Sequence, residues 1–212
     1  VFSVRFPLTG AWTPQAWTAI FSGAQTSGNG IDISILWEGL QNTLILAALT
    51  VVLMLALMMP TMMIVRLRSP RMHRIVEFIS LLPLTIPAIV LVVGLGPIYR
   101  FIGASFGTQS VWLVFAYVVL VLPFAYRSLD AGFAVIDLRT LVEAARSLGA
   151  SWFTVLFRVV APNMRAAIWS AGFISIAVVF GEYTIAALLN RSNLQTALFF
   201  LGQSDSMIST AM

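Results

Sequence analysis

Few side chains in this 212-residue chain could do chemistry. Cysteine is absent, which excludes disulfides and thiolate metal sites. A lone histidine, His73, cannot build a histidine cluster. All 12 basic residues are Arg, so a phosphate-binding loop of the GxxxxGK[ST] type lacks its Lys, and the chain has no such route to ATP hydrolysis. Gly103-Ala104-Ser105-Phe106-Gly107 matches the G-x-S-x-G turn that presents a serine nucleophile in hydrolases. That turn needs a base, and His73 falls on the opposite side of the membrane by the Arg count below, so a plain Gly/Ser turn explains the match better. Glu182 is the one ionisable side chain well inside an apolar run. A charge at the centre of a membrane helix costs on the order of 2.5–3.5 kcal/mol, so Glu182 is expected to face a bundle interior or a water-filled cavity. Two readings follow. Glu182, with Tyr183 beside it, is an acidic pathway or gate group for a cationic solute such as a polyamine; or its carboxylate is satisfied by a neighbouring helix or by shallow water.

The elements that must position these residues are membrane helices. The chain is 59% hydrophobic and 9% charged, whereas a soluble domain is about a quarter charged. It is too apolar for a soluble surface and too apolar to be disordered. A crossing needs about 20 apolar residues, and the charges punctuate the chain at nearly that interval. Four spans are expected, at about 39–65, 76–98, 109–126 and 166–189. Runs such as LILAALTVVLMLALMM are continuously apolar rather than alternating, which favours helices over a barrel. The fold class is therefore all-α, a polytopic helical bundle. Pro60, Pro83, Pro87 and Pro123 are expected to kink it, since each removes a helical hydrogen bond.

Segments 66–74 and 127–165 together hold nine Arg, and the other side holds three, Arg5, Arg100 and Arg191. The positive-inside bias places the two Arg-rich segments in the cytoplasm. Arg spread between spans in this way fits membrane orientation, not nucleic-acid binding. Residues 1–37 form an external segment, with a short helix capped at Thr13-Pro14, Trp12, Trp17 and Phe21 at headgroup level, and a loop at Gly23, Gly28 and Gly30. The chain starts with Val and stops at Ser209-Thr210-Ala211-Met212 with no basic residue to close on, so a further span is expected at each end.

The cytoplasmic stretch 127–165 is long for a bare loop and carries helix grammar. Asp137 can cap a helix from Leu138, and Thr140-Leu141-Val142-Glu143 matches a capping box. Leu138, Leu141, Val142, Ala145 and Leu148 share one face, and Glu143 can pair with Arg146. Gly149 is placed to stop the helix in a left-handed conformation. Ser151 can cap a second helix that runs to Val160 and ends at Pro162. Such a hairpin, about 137–162, either packs on its own spans or docks a soluble partner.

Glu143-Ala144-Ala145, Gly149 and Val159-Val160-Ala161-Pro162 resemble the EAA motif of binding-protein-dependent ABC importer permeases. Val159 and Ala161 replace the motif's Ile and Leu, while Glu, both Ala, Gly and Pro are in register. Asn42-Thr43-Leu44 is similar to the start of that family's core, and Pro83-Leu84-Thr85-Ile86-Pro87-Ala88-Ile89-Val90 resembles a stretch in its polyamine, ferric iron, thiamine and phosphonate branch. The resemblance covers residue 38 to the end and implies a type I transmembrane domain over 38–212 in a bacterial inner membrane. It implies no enzyme activity and no cofactor of the chain's own, ATP being bound by two cytoplasmic ATPase subunits. It implies that Glu143, Ala144, Ala145, Gly149 and Pro162 couple to those subunits, and that the other partners are a second permease subunit, an extracytoplasmic solute-binding protein and membrane lipid. A channel or secondary transporter is the alternative; no repeat between the chain's halves supports it.

Overall fold

The computed structural model describes residue 18 and residues 34–204. The capped helix at Thr13, the aromatic residues Trp12, Trp17 and Phe21, and the loop at Gly23, Gly28 and Gly30 lie outside the described residues.

Helix α1 is Ser34–Arg68. Its 35 residues reach about 50 Å at 1.5 Å each, more than the hydrocarbon core. Gly39, Thr43, Ala47, Thr50, Met54 and Met58 recur at helical spacing on its buried side, while Leu44, Ile45, Leu49, Val52 and Leu57 are exposed. This inverts the soluble pattern: small and weakly polar residues face the bundle so that helices approach closely, and large aliphatics face lipid. Pro60 sits inside α1 without ending it. Beside it the Thr61 hydroxyl donates to the Leu57 carbonyl at 2.6 Å.

Helix α2, Pro70–Leu81, starts where Ser69 accepts the Arg71 N–H. A 3-10 turn at Leu82–Thr85 follows, then α3, Ala88–Phe106. The span expected at 76–98 is therefore divided. Pro83 and Pro87 each lack a backbone donor, and Ile86, preceding a proline, is held extended at φ −99°, ψ 121°. The long apolar helix begins only after Pro87. A second 3-10 turn, Ser110–Leu113, leads into α4, Val114–Val135, which continues through Pro123.

The core lies where α1, α4 and α7, Arg165–Phe180, pack on one another. Gly132 of α4 permits the closest approach, since a Cβ there would collide with that of Ala167. Ala171, Gly172 and Ser175 bury the matching face of α7, with the Ser175 hydroxyl donating to the Ala171 carbonyl at 2.7 Å.

Among the described residues three segments, Ser34–Arg68, Ala88–Phe106 and Ser110–Val135, are long and apolar enough to cross a membrane, and a fourth crossing exists if a helix pair bent by 83° is one span. That pair is α6, Trp152–Asn163, and α7. At 16 residues α7 covers about 24 Å. The helix expected over 166–189 thus stops at Phe180 and resumes as α8, Thr184–Leu188. Helix α9, Leu194–Ser204, follows and packs on α1. The described residues contain helices and no strands, so the molecule is an all-α polytopic membrane protein.

The two Arg-rich segments meet at one end of this bundle. Arg66 pairs with Asp130, and His73 lies between Tyr126, 3.2 Å from its Nδ1, and Asp130, 3.5 Å from its Nε2. At the other end Asn42 donates to the Ser192 hydroxyl at 2.9 Å, and Ser192 lies 3.3 Å from Ser110. Arg count and packing therefore agree on two distinct ends.

Candidate functional site

At the Arg-rich end, helix α5, Leu138–Ser147, and α6 form the hairpin. Asp137 caps α5: its carboxylate accepts the Thr140 hydroxyl at 2.7 Å and the Thr140 N–H at 3.3 Å. These two bonds hold the Asp137 carboxyl below the ordinary aspartate range. The helix ends in a Schellman motif. The Ala150 N–H donates to the Ala145 carbonyl at 3.1 Å, and the Gly149 N–H to the Arg146 carbonyl at 3.0 Å. Gly149 supplies the left-handed residue this needs, at φ +82°. Ser151 then caps α6 by accepting the Thr154 N–H.

Leu138 and Val142 are buried and join Val155, Leu156 and Val160 in the core. Leu148, placed on the same stripe by its spacing, is 88% exposed: it is the C-cap, one residue past the end of α5. Glu143 does not meet Arg146. It accepts from Arg139 Nε at 3.2 Å, one turn back. Arg146 instead donates to the Ala150 carbonyl at 2.9 Å and lies over the Trp152 ring at 5.2 Å. The second helix does not stop before Pro162. Its middle widens into a π-turn at Val155–Val160, and helix resumes over Ala161–Asn163, with the sharp bend at Met164. Glu143, Ala144, Gly149 and Pro162 are exposed and Ala145 is half-buried. Phe153 and Phe157 of α6 are exposed beside them, at 76% and 65%.

At the opposite end, Glu182 and Tyr183 occupy the break between α7 and α8. Glu182 is 7% exposed. Its Oε1 accepts the Ile185 N–H at 2.8 Å and its Oε2 the Ala186 N–H at 3.4 Å. The carboxylate is an N-terminal cap for α8, taking up donors a helix start leaves unpaired. Asn193 ties this loop to the bundle. Its side chain donates to the Glu182 carbonyl at 2.6 Å and to the Tyr117 hydroxyl at 3.1 Å, and its Oδ1 accepts the Thr196 N–H at 2.8 Å. Thr43 of α1 adds a bond from the Leu194 N–H at 2.8 Å. Tyr183 and Arg191 line a cavity of about 560 Å³ beside this loop; Glu182 does not.

The sequence reading missed Asn193 and Arg191. The polar run Asn190-Arg191-Ser192-Asn193 was the available signal. Ser105 and His73 fall at opposite ends of the bundle, so the structure does not bring them together. Among the described residues no group of three or more His, Asp or Glu side chains could hold a metal ion.

A helical bundle of membrane-crossing length, with a capped hairpin at its Arg-rich end, defines a polytopic membrane protein. The family described as binding-protein-dependent transport system inner membrane component matches residues 53–212, and the chain belongs to that family. It is thus an ABC importer inner-membrane permease in a multi-pass cell-membrane setting, and its family is one of transport proteins rather than enzymes. The family works with ATPase and binding-protein partners. No curated protein matches the chain.

Proposed function

We propose that this chain forms part of a solute pathway and is driven through its 137–162 hairpin by cytoplasmic ATPase subunits. The observation that carries this reading is the state of the hairpin's surface. Its backbone groups at the turn are satisfied within the hairpin, while Leu148 before the turn and Phe153 and Phe157 on the second helix are left more than half exposed. A single apolar side chain on a surface is ordinary; three large ones on one short hairpin support a surface that a partner covers. Ala144 is small enough to admit that partner closely. Glu143 offers a carboxylate at its edge, and Pro162 stands at the base of the hairpin where α6 turns into α7. Two ATPase subunits, a second permease subunit and an external binding protein complete the assembly, and ATP is bound by the ATPase subunits.

The external loop 181–193 is the gate in this reading, with Tyr183 on the cavity wall. Glu182 acts as the brace of that gate: both carboxylate oxygens are engaged by backbone donors, which leaves a cationic solute little to bind. Polyamine transport, which rested on a free carboxylate there, loses that support.

Gly149→Asp tests the coupling. Nothing lies within 4 Å of a Cβ at Gly149, so the substitution causes no collision and acts through the strained backbone and the added charge, at a cost of about 1–2 kcal/mol to the turn. Uptake into vesicles is expected to fall at least about tenfold while the chain accumulates normally. Uptake at the wild-type rate would remove the coupling role. A channel or secondary transporter would in addition co-purify with no ATPase.

A further inference from the structure

Arg191 is the side chain that neither the hairpin nor the brace uses. It is 8% exposed, its Nη1 is buried with no hydrogen-bond partner, and it lines the cavity at the external loop. Guanidinium does not deprotonate in proteins, so burial cannot be relieved by losing the proton. A buried cation requires compensation by an anion or by polar groups. Among the described residues the one carboxylate on the cavity wall is Glu38, which is exposed and makes no ion pair with Arg191. The wall also carries Ser110 and Ser192, whose hydroxyls lie 3.3 Å apart, so one of the two protons joins the pair and the other is left to donate to an anion; the Thr196 hydroxyl is spent on the Asn193 carbonyl. At about 560 Å³ the cavity is of the size that holds small organic ligands.

We propose that Arg191 is the centre of an oxyanion site at the external end of the bundle, taking the phosphate or carboxylate group of a small solute or the phosphate of a lipid headgroup. The planar guanidinium engages such a group by two parallel bonds, and the free proton of the Ser110–Ser192 pair reaches a remaining oxygen. Glu38 at the wall weakens binding of highly charged anions and favours groups of low charge. This deepens the importer reading and rests on it, since it names the charge class that the gate admits. It replaces a cation-selective gate with an anion-selective one.

The test uses the purified full transporter and needs no turnover, so it is independent of the Gly149→Asp uptake result and of ATPase co-purification, which report on the importer reading itself. Inorganic phosphate is titrated into detergent-solubilised protein by calorimetry, and in a second arm the protein is placed in nanodiscs of phosphatidylcholine with and without phosphatidylglycerol and its retained lipid is measured. Saturable phosphate binding that Arg191→Gln weakens by about tenfold or more, and that Arg191→Lys retains in part, assigns the site to a soluble oxyanion. Phosphatidylglycerol retained by the wild type and lost in Arg191→Gln, with no phosphate binding, assigns it to lipid. If neither binds, or if Arg191→Gln changes neither, the site is overturned. Should Arg191→Gln fail to fold, Glu38→Gln carries the test: removing the exposed carboxylate is expected to tighten binding about two- to threefold, and unchanged binding overturns the proposal.

Discussion

The loop at 181–193 and the hairpin at 137–162 cap opposite ends of the bundle, and they treat their polar side chains in opposite ways. Glu182 and Asn193 of the loop, with Thr196 in the first turn of α9, are buried, and each is bonded to backbone or to a distant helix. In the hairpin, Asp137, Arg146 and Ser151 close their bonds with near neighbours at the surface, and the large apolar residues Leu148, Phe153 and Phe157 remain outside. An element knotted inward by buried polar bonds has its position set by its own fold. One whose polar groups are locally satisfied and whose aromatics are exposed keeps its shape alone but leaves apolar area for another surface to cover. In the proposed reading, the buried bonds at the outer end hold the gate in place, and the exposed apolar area at the Arg-rich end is what the ATPase covers.

Disrupting the inward knot should have the largest effect on stability. Asn193→Ala removes the bonds to Tyr117 and to the Glu182 carbonyl and uncaps Thr196, which is expected to cost about 3 kcal/mol. Thermal unfolding in detergent checks this, and a cost under about 1 kcal/mol would mean that the loop is held by something else. A smaller loss, about 1 kcal/mol, is expected for Glu182→Gln, which keeps one acceptor for the α8 cap. Uptake by that variant should stay within about twofold of wild type. Collapse of uptake at an unchanged melting temperature would make Glu182 a pathway group after all. On the hairpin, Glu143→Gln breaks only the Arg139 pair, whose side chains are 69% and 80% exposed, so stability should change by less than about 0.5 kcal/mol. Its ATPase association should nevertheless weaken, measured by the amount of ATPase retained on the purified permease. Equal retention would confine the docking surface to the apolar residues.

The hairpin was legible in the sequence because its signals are local. Asp137, Gly149 and Ser151 each satisfy a backbone group within five residues, so residue type and spacing identify the cap or stop. The long apolar runs of α1 and α4 were legible for the same reason. What composition concealed depended on partners far along the chain. The break at 181–183 lies inside an apolar stretch and is held by Asn193 reaching Tyr117, 76 residues away. Pro83 and Pro87 were read as kinks within one span, yet two prolines four residues apart remove enough donors to divide it. At Pro162 the opposite happened. A π-turn just upstream absorbed the misfit and the helix ran on to Asn163.

Because the chain has no cysteine, a single one placed at Leu148, 88% exposed on the hairpin, reports on that site alone. Leu148→Cys in the assembled transporter, treated with a short thiol-to-amine crosslinker, is expected to join the permease to its ATPase subunit, with a yield that changes between ATP-bound and ATP-free states. A matching cysteine at Ser105, at the other end of the bundle, should give no such product. A Leu148→Cys that reacts only with reagents added from outside the cell, and never reaches the ATPase, would contradict the account.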